Sequence, residues 1–280
     1  MGFVTGFCLN FKADCYRSHL TIFSLRAMIL QHKEVTEMKK KSLRRLIIGL
    51  SLTLVIGGGF AGAVLAKTVR LNHPKGVVGA DISSYQGDAD WDKLSRNMDF
   101  VFVKATEGSS FIDEKFIYNF TGARNAGLYA GAYHFFSFDS SGSSQAENFI
   151  AALEETGLTD GMLPPVIDVE PYGEYLKHPK SADEVIPELK DMIDSLEEKY
   201  GVKPVIYCTG SSYRLYKAGF EGCLLWERNV YFRPFHNDWT FWQYTDTEEL
   251  DGYNGDEKYI DMNFFNGSIK ELDKLCISMK

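Results

Sequence analysis

The chain has 280 residues, of which 45% are hydrophobic, so it is long enough to bury one sizeable core with a small appendage. Its formal net charge of −8 is uneven: residues 1–66 carry 9 Lys+Arg against 3 Asp+Glu, which leaves 21 against 35, a net of −14, in residues 67–280. Phosphate backbones are bound by clustered Lys and Arg, so we expect no nucleic-acid partner for this acidic body.

The N-terminal segment predicts export. Three lysines at 39–41 and two arginines at 44–45 precede the uncharged run 46–66, which ends in small residues as a secretory signal does. At 21 residues the run is also long enough to span a bilayer, so an uncleaved membrane anchor is the alternative. Either way, the protein is expected to be extracellular or on the cell surface.

The same segment suggests where the protein begins. Met38 stands directly before the basic residues, and residues 1–37 have no clear periodicity. We interpret 1–37 as an extension ahead of the true start, 38–66 as signal or anchor, 67–75 as a linker and 76–280 as one domain.

The cysteines and histidines predict neither a disulfide scaffold nor a metal site. The exported body has three cysteines (Cys208, Cys223 and Cys276), which are too few for a disulfide scaffold in a domain of this size. No Cys/His group has the spacing of a zinc site. We expect neither a metal nor another cofactor.

Strand-like and helix-like segments alternate from residue 77 onward. Apolar runs predict strands at 77–82, 100–104, 129–136, 163–170, 205–208, 224–226, 241–244 and 259–262. Helical patterns between them cover 91–96, 114–126, 143–156, 182–200 and 211–218. Eight strands separated by helices predict an α/β fold, a single-domain, TIM-barrel-like β/α barrel, irregular because helices are incomplete in the last third. An open doubly wound sheet is the alternative, although no Gly-x-Gly-x-x-Gly turn follows a strand.

Two carboxylates end the fourth strand. Asp168 and Glu170 are separated by one residue, so they point to the same side of the strand, with Cα atoms roughly 6.6 Å apart. Like charges this close do not both ionise without cost, so one should keep its proton toward neutral pH. Such a pair suits glycosidic cleavage, although an Asp-x-Glu after a strand is also common as a solvated loop start.

Other polar residues fall at the ends of the remaining strands, where barrel enzymes place their active sites. Asp81 ends strand one and Asp261 lies on strand eight, next to it in a closed barrel; a turn cap is the simpler alternative for Asp81. Polar and aromatic residues near the same rim are candidates for sugar binding: Lys104, Glu107, Tyr133, His134, Tyr207, Trp242, Gln243 and Tyr244. A structural role is the alternative for His134, and a place in the core is the alternative for the four aromatic residues.

Six ordered segments carry a family resemblance. Residues 79–87, 102–108, 131–136, 167–170, 242–244 and 260–263 resemble the motifs of family 25 of the glycoside hydrolases, the Chalaropsis-type lysozymes or N-acetylmuramidases. The sequence departs from that pattern at 226–231, where the family more often has an apolar strand.

The resemblance implies a function as well as a fold. It implies an irregular β/α barrel that hydrolyses the β-1,4 bond between N-acetylmuramic acid and N-acetylglucosamine, with the glycan strands of peptidoglycan as its partner. By position, Glu170 resembles the general acid, Asp168 its neighbour, and Asp81 and Asp261 the other two acids of the cleft. We expect the protein to act as a monomer.

The sequence allows three different nucleophiles for attack on the anomeric carbon. Carboxyl groups about 5–5.5 Å apart would favour direct attack, and about 6.5–9.5 Å would leave room for a water. We favour a third route, attack by the substrate's own 2-acetamido oxygen, with Asp168 or Asp261 steadying the cationic ring. A silent glycan-binding module and a metal-dependent hydrolase are the alternatives from other classes.

Overall fold

A closed β-barrel organises the described part of the chain. The computed structural model describes residues 76–236 and 238–279. The expectations for a start at Met38, a signal or anchor at 46–66 and a linker at 67–75 lie outside those residues. Within them, no helix has both the length and the apolar character needed to cross a membrane.

Eight strands close the barrel, in the order β1-β2-β4-β5-β6-β7-β8-β9 and back to β1. A ninth, two-residue strand, β3, pairs antiparallel with the end of β2 and was not expected from the sequence. The strands are β1 Val78–Ile82, β2 Phe100–Glu107, β3 Phe111–Ile112, β4 Tyr129–Phe135, β5 Val166–Val169, β6 Val205–Thr209, β7 Leu224–Arg228, β8 Trp239–Glu248 and β9 Ile260–Phe265. The predicted irregular β/α barrel is confirmed.

The last strand runs against its neighbours. β1, β2 and β4 to β8 form parallel pairs, whereas β9 pairs antiparallel with both β8 and β1. A regular alternation of strands and helices implies parallel strands, and β9 is the exception to that expectation. Residues 249–259 contain no helix in the structure, and β8 and β9 pair directly as an antiparallel hairpin. The start of β9 therefore lies at the end of the barrel where β1 finishes, with Asp261 the register partner of Asp81.

Helices cover the outer face of the strands. They are α1 Trp91–Leu94, α2 Phe116–Asn125, α3 Gly142–Glu155, α4 Ala182–Tyr200, α5 Gly210–Tyr216 and α6 Ile269–Asp273. The longest, α4, matches its predicted bounds because its ends are encoded locally. Ser181 and Glu184 form a capping box at its start, and Gly201 ends it in the left-handed conformation at φ 71°.

Two hydrophobic layers result from the alternation along each strand. Val101 and Val103 of β2 face outward to the helices, while Phe100 and Phe102 face inward. Inside the barrel, the Phe102 ring stacks on Trp226 with centroids 4.7 Å apart and meets Phe241 edge-on at 5.2 Å. This aromatic layer fills the interior, so any cavity must lie above it, at one end.

Helices α3 and α4 pack closely at Gly142, and this contact should be sensitive to one methyl group. A Cβ on Gly142 would lie 1.7 Å from the carbonyl oxygen of Glu188, so Gly142→Ala must push the two helices apart. We expect a loss of about 2 kcal/mol in the free energy of unfolding, measured by urea denaturation. Gly210→Ala is the matched control, since Gly210 also opens a helix but its Cβ would meet only Arg214 Nη1 at 3.9 Å. Equal stability of both variants would contradict the close packing.

Candidate active site

A cavity of about 200 Å³ opens at the end of the barrel where the parallel strands finish. All four candidate carboxylic acids line it. Asp81 lies on β1, Asp261 lies on β9, and Asp168 and Glu170 lie at the end of β5, so three distant parts of the chain contribute to the cavity. The lining residues are Asp81, Ser83, Tyr85, Lys104, Tyr133, Phe135, Asp168, Glu170, Tyr207, Trp226, Gln243 and Asp261. The structure thus brings the four acids together.

Strand alternation explains why these side chains face the cavity. Lys104 is two residues beyond the inward-facing Phe102, so it points to the same side as that ring and emerges above the aromatic layer. Asp168 follows the inward-facing Val166 by the same spacing. The interior of each strand is therefore apolar until its last inward position, which carries the polar group.

An amide network holds Asp81 and Asp261. Gln243 Nε2 donates to both carboxylate oxygens of Asp81, at 3.0 and 3.1 Å, and to Asp261 Oδ2 at 3.1 Å. Asn263 Nδ2 donates a further hydrogen bond of 2.7 Å to Asp81 Oδ1. Both amides are oriented in turn, because Tyr207 donates to Gln243 Oε1 and the Trp226 indole donates to Asn263 Oδ1. These two acids are fixed in position before any ligand binds.

Asp168 and Glu170 are less constrained. Asp168 is only 7% exposed, and its Oδ1 has no hydrogen-bond partner among the described residues. A buried polar atom without a partner costs free energy. Glu170, which follows β5 directly, is half-buried at the cavity wall.

Burial raises the pKa of every acid in the cluster. The pKa of Asp81 is raised to about 6 and that of Asp261 to about 8, mainly by desolvation; repulsion from Glu170 adds to the shift of Asp81, and repulsion from Asp81 adds to that of Asp261. Desolvation and the neighbouring Glu170 raise the pKa of Asp168 well above its usual range. Desolvation also raises the pKa of Glu170, while Arg228 and Lys104 oppose the shift. Asp168 and Glu170 repel each other when both are ionised, so the pair holds one proton toward neutral pH.

Two cations flank the acids. Lys104 Nζ lies 2.8 Å from Glu107 Oε2 and sits over the Phe135 ring at 5.2 Å. On the other side of the barrel, Arg228 Nη2 lies 2.7 Å from Asp246 Oδ2. Arg228 belongs to the segment 226–231 that departs from the family pattern, yet β7 forms there and Trp226 closes the cavity floor.

Three of the residues proposed for sugar binding lie away from the cavity. His134 is fully buried between Thr106 Oγ1 at 2.7 Å and Gln145 Oε1 at 3.1 Å, and burial lowers its pKa to about 4. Trp242 and Tyr244 flank the inward-facing Gln243, so alternation turns both toward the outer core. For these three the expectation of a place in the cleft is corrected.

The remaining predicted residues line the cleft or its edge. Lys104, Tyr133, Tyr207 and Gln243 line the central cavity, and Glu107 lines an adjoining groove of about 670 Å³ that shares Tyr85 and Lys104. Ser83, Tyr85, Phe135 and Trp226 also line the cavity, although they were not among the candidate site residues. The alternation of inward and outward residues along a strand could have identified Trp226, which faces inward on β7 as Val166 does on β5. Tyr85 is 69% exposed in a turn, where side chains follow no such alternation. Among residues 76–236 and 238–279, no group of three or more His, Cys, Asp or Glu side chains is arranged to hold a metal ion.

Comparisons with known proteins identify relatives of the whole barrel. Residues 80–253 match the family model described as Glycosyl hydrolases family 25. A solved family 25 glycosyl hydrolase from Bacillus anthracis is 46% identical, with a TM-score of 0.64, over 71% of this chain and 92% of that one. Lysozyme M1 of Streptomyces globisporus is 31% identical over 74% of this chain and 73% of its own length. The N,O-diacetylmuramidase of Chalaropsis sp is 31% identical over 71% of this chain and 99% of its own.

The raised pKa of Asp261 predicts a pH-dependent stability. The folded protein keeps this proton up to about pH 8, whereas the unfolded chain releases it near 3.8, so the free energy of unfolding falls as pH rises between these values. Asp261→Asn removes that loss. We expect a melting temperature about 3 °C above wild type at pH 8, with the difference vanishing toward pH 4, by calorimetry.

The control for this prediction is Asp256→Asn, the same change at an exposed position in the preceding turn. It should leave the pH dependence as in wild type. A melting temperature of Asp261→Asn that tracks wild type at every pH would show that Asp261 carries no trapped proton.

Proposed function

The chain belongs to family 25 of the glycosyl hydrolases and is a muramidase that hydrolyses peptidoglycan, and we propose that Glu170 is its general acid in a substrate-assisted cleavage. The bond cut is the β-1,4 linkage from N-acetylmuramic acid to N-acetylglucosamine. The observation that carries this proposal is the gathering of Asp81, Asp168, Glu170 and Asp261 around one cavity.

The shape and lining of the cleft suit a glycan strand. The central cavity continues on one side into the groove with Glu107 and on the other into a pocket of about 420 Å³ that shares Asp81, Tyr133 and Asp261. Aromatic rings such as Tyr85 and Phe135 offer flat faces for sugar rings. A chain of sugars can therefore extend past the acids in both directions.

Glu170 is the best-placed proton donor. Burial raises its pKa, so it holds a proton closer to neutral pH than an exposed glutamate does, and half-burial leaves it accessible from the cleft. In the first step its proton passes to the glycosidic oxygen as the bond to the anomeric carbon breaks. As the carboxylate, it then takes a proton from the water that completes hydrolysis.

Asp168 is suited to orient the 2-acetamido group of the substrate, which is the nucleophile in this mechanism. Asp81 and Asp261 are already engaged by Gln243, whereas Asp168 Oδ1 has no protein partner among the described residues. That oxygen is available to accept the N–H of a 2-acetamido group. Held in this way, the acetamido oxygen attacks the anomeric carbon, and the Asp168 carboxylate offsets the developing positive charge.

Export remains a prediction from the basic and apolar segment at 38–66. The substrate supports it, because peptidoglycan lies outside the cytoplasm. The choice between a cleaved signal and a membrane anchor at 46–66 likewise stays a prediction, as does the monomeric state.

Glu170→Gln tests the acid directly. The amide preserves the shape of the side chain but has no proton to give, so we expect turnover of cell-wall suspensions to fall about 10²- to 10⁴-fold in a turbidity assay. Glu174→Gln, the same substitution at an exposed position four residues later, should retain wild-type turnover. Near wild-type activity of Glu170→Gln would remove Glu170 from this role.

The stereochemistry of the first product tests the nucleophile. Attack by the acetamido oxygen inverts the anomeric carbon once and water inverts it again, so the released muramic acid should keep the β configuration. Proton NMR of the reaction in its first minutes, before mutarotation, distinguishes the anomers. A predominantly α product would rule out the substrate-assisted route.

A further inference from the structure

Arg228 occupies a position that the proposed reaction does not use. It ends β7 two residues beyond Trp226, which lines the cavity floor, so its side chain leaves the strand on the inner face. Its register partner on β8 is Gln243, the residue that holds Asp81 and Asp261. The side chain therefore leaves β7 on the inner face of the barrel, beside the residue that holds two of the acids.

Asp246 fixes the direction of this guanidinium. Arg228 Nη2 lies 2.7 Å from Asp246 Oδ2, and both side chains are about one-third exposed. Asp246 also lines the side pocket that contains Asp81 and Asp261. The pair thus stands between the acid cluster and solvent, on the β7–β8 side of the cleft.

The charges around Glu170 are arranged in two opposing groups. Lys104 and Glu107 approach from β2, and Arg228 and Asp246 approach from β7 and β8. The other ionisable groups that line the central cavity and the side pocket are Asp81, Tyr85, Tyr133, Asp168, Tyr207, Glu257, Tyr259 and Asp261. Arg228 and Lys104 are the cations that act on Glu170, and Lys104 is already paired closely with its own carboxylate.

We propose that Arg228, oriented by Asp246, is a positioning residue that sets the pH range in which the acid cluster works. This rests on the proposed role of Glu170. Arg228 does not touch the reacting atoms; it acts through its field on the carboxyl groups. Its proximity lowers the pKa of Asp81, Glu170 and Asp261 alike, whereas Asp246 raises the pKa of Asp261.

The two members of the pair should therefore shift the pH profile in opposite directions. Removing the cation in Arg228→Ala lets Glu170 keep its proton to higher pH, so the alkaline limb of the kcat profile moves up by about one pH unit. Asp246→Asn removes a carboxylate and leaves the guanidinium of Arg228 without its ion-pair partner, so the alkaline limb of the kcat profile moves to lower pH. Arg228→Lys keeps the positive charge, so its pH profile of kcat should stay close to that of the wild type.

Arg233→Ala is the matched control. Arg233 lies in the following loop, exposed, with its guanidinium over the Trp239 ring at 5.3 Å. Its removal changes the net charge as Arg228→Ala does, but outside the cleft, and should leave the profile in place. Circular dichroism verifies that each variant is folded.

A second measurement separates this proposal from the proposed catalytic role. The carboxyl carbon of Glu170, labelled with carbon-13 and assigned by its loss in Glu170→Gln, is titrated by NMR in the wild type and in each variant. A higher midpoint in Arg228→Ala, with Arg228→Lys near wild type, supports the proposal even if Glu170 is not the acid. The proposal is overturned if Arg228→Ala and Asp246→Asn shift the midpoint in the same direction, if neither shifts it, or if Arg228→Ala raises KM alone.

Discussion

Burial of like charges at one end of the barrel is the constraint on which the site depends. Four carboxylic acids share a cavity of about 200 Å³ above an aromatic layer, and desolvation raises the pKa of each. Such a cluster is unfavourable unless the charges are partly neutralised or hydrogen-bonded. Gln243 and Asn263 supply amide donors to two of the acids, and Lys104 and Arg228 supply positive charge from opposite walls. Of the two acids outside this amide network, Asp168 is the one whose buried Oδ1 has no partner among the described residues, so it is the more available to a ligand.

Much of the fold could be predicted from the sequence because its signals are local. Apolar β-branched runs between turn residues located the eight barrel strands, and caps such as Ser181 and Gly201 fixed the ends of the longest helix. The reversed direction of β9 could not be predicted in the same way. A strand's direction is set by its connection and its pairing, and neither is written in the strand's own residues.

Site residues on strands can be predicted from the sequence because side chains alternate between the inside and the outside of the barrel. Asp81, Lys104, Asp168 and Gln243 occupy inward positions toward the active-site end of their strands, and all line the cavity. Trp242 and Tyr244 were assigned to the cleft with Gln243 although neighbours in a strand face opposite sides, and the structure turns them outward. His134 adjoins Tyr133 in the same way and lies in a closed hydrogen-bonded environment. Turn residues such as Tyr85 follow no period, so nothing in the sequence marks them.

The reversed β9 has a consequence for how the active site is assembled. β8 and β9 form one antiparallel hairpin, Trp239–Glu248 with Ile260–Phe265, which by itself carries Gln243, Asp246, Asp261 and Asn263. Half of the polar framework thus sits on one contiguous ribbon whose internal pairing is independent of the other six strands. Because β8 also pairs with β7 and β9 also pairs with β1, the closed barrel holds this ribbon on both sides and so fixes the distance of those four side chains from Glu170.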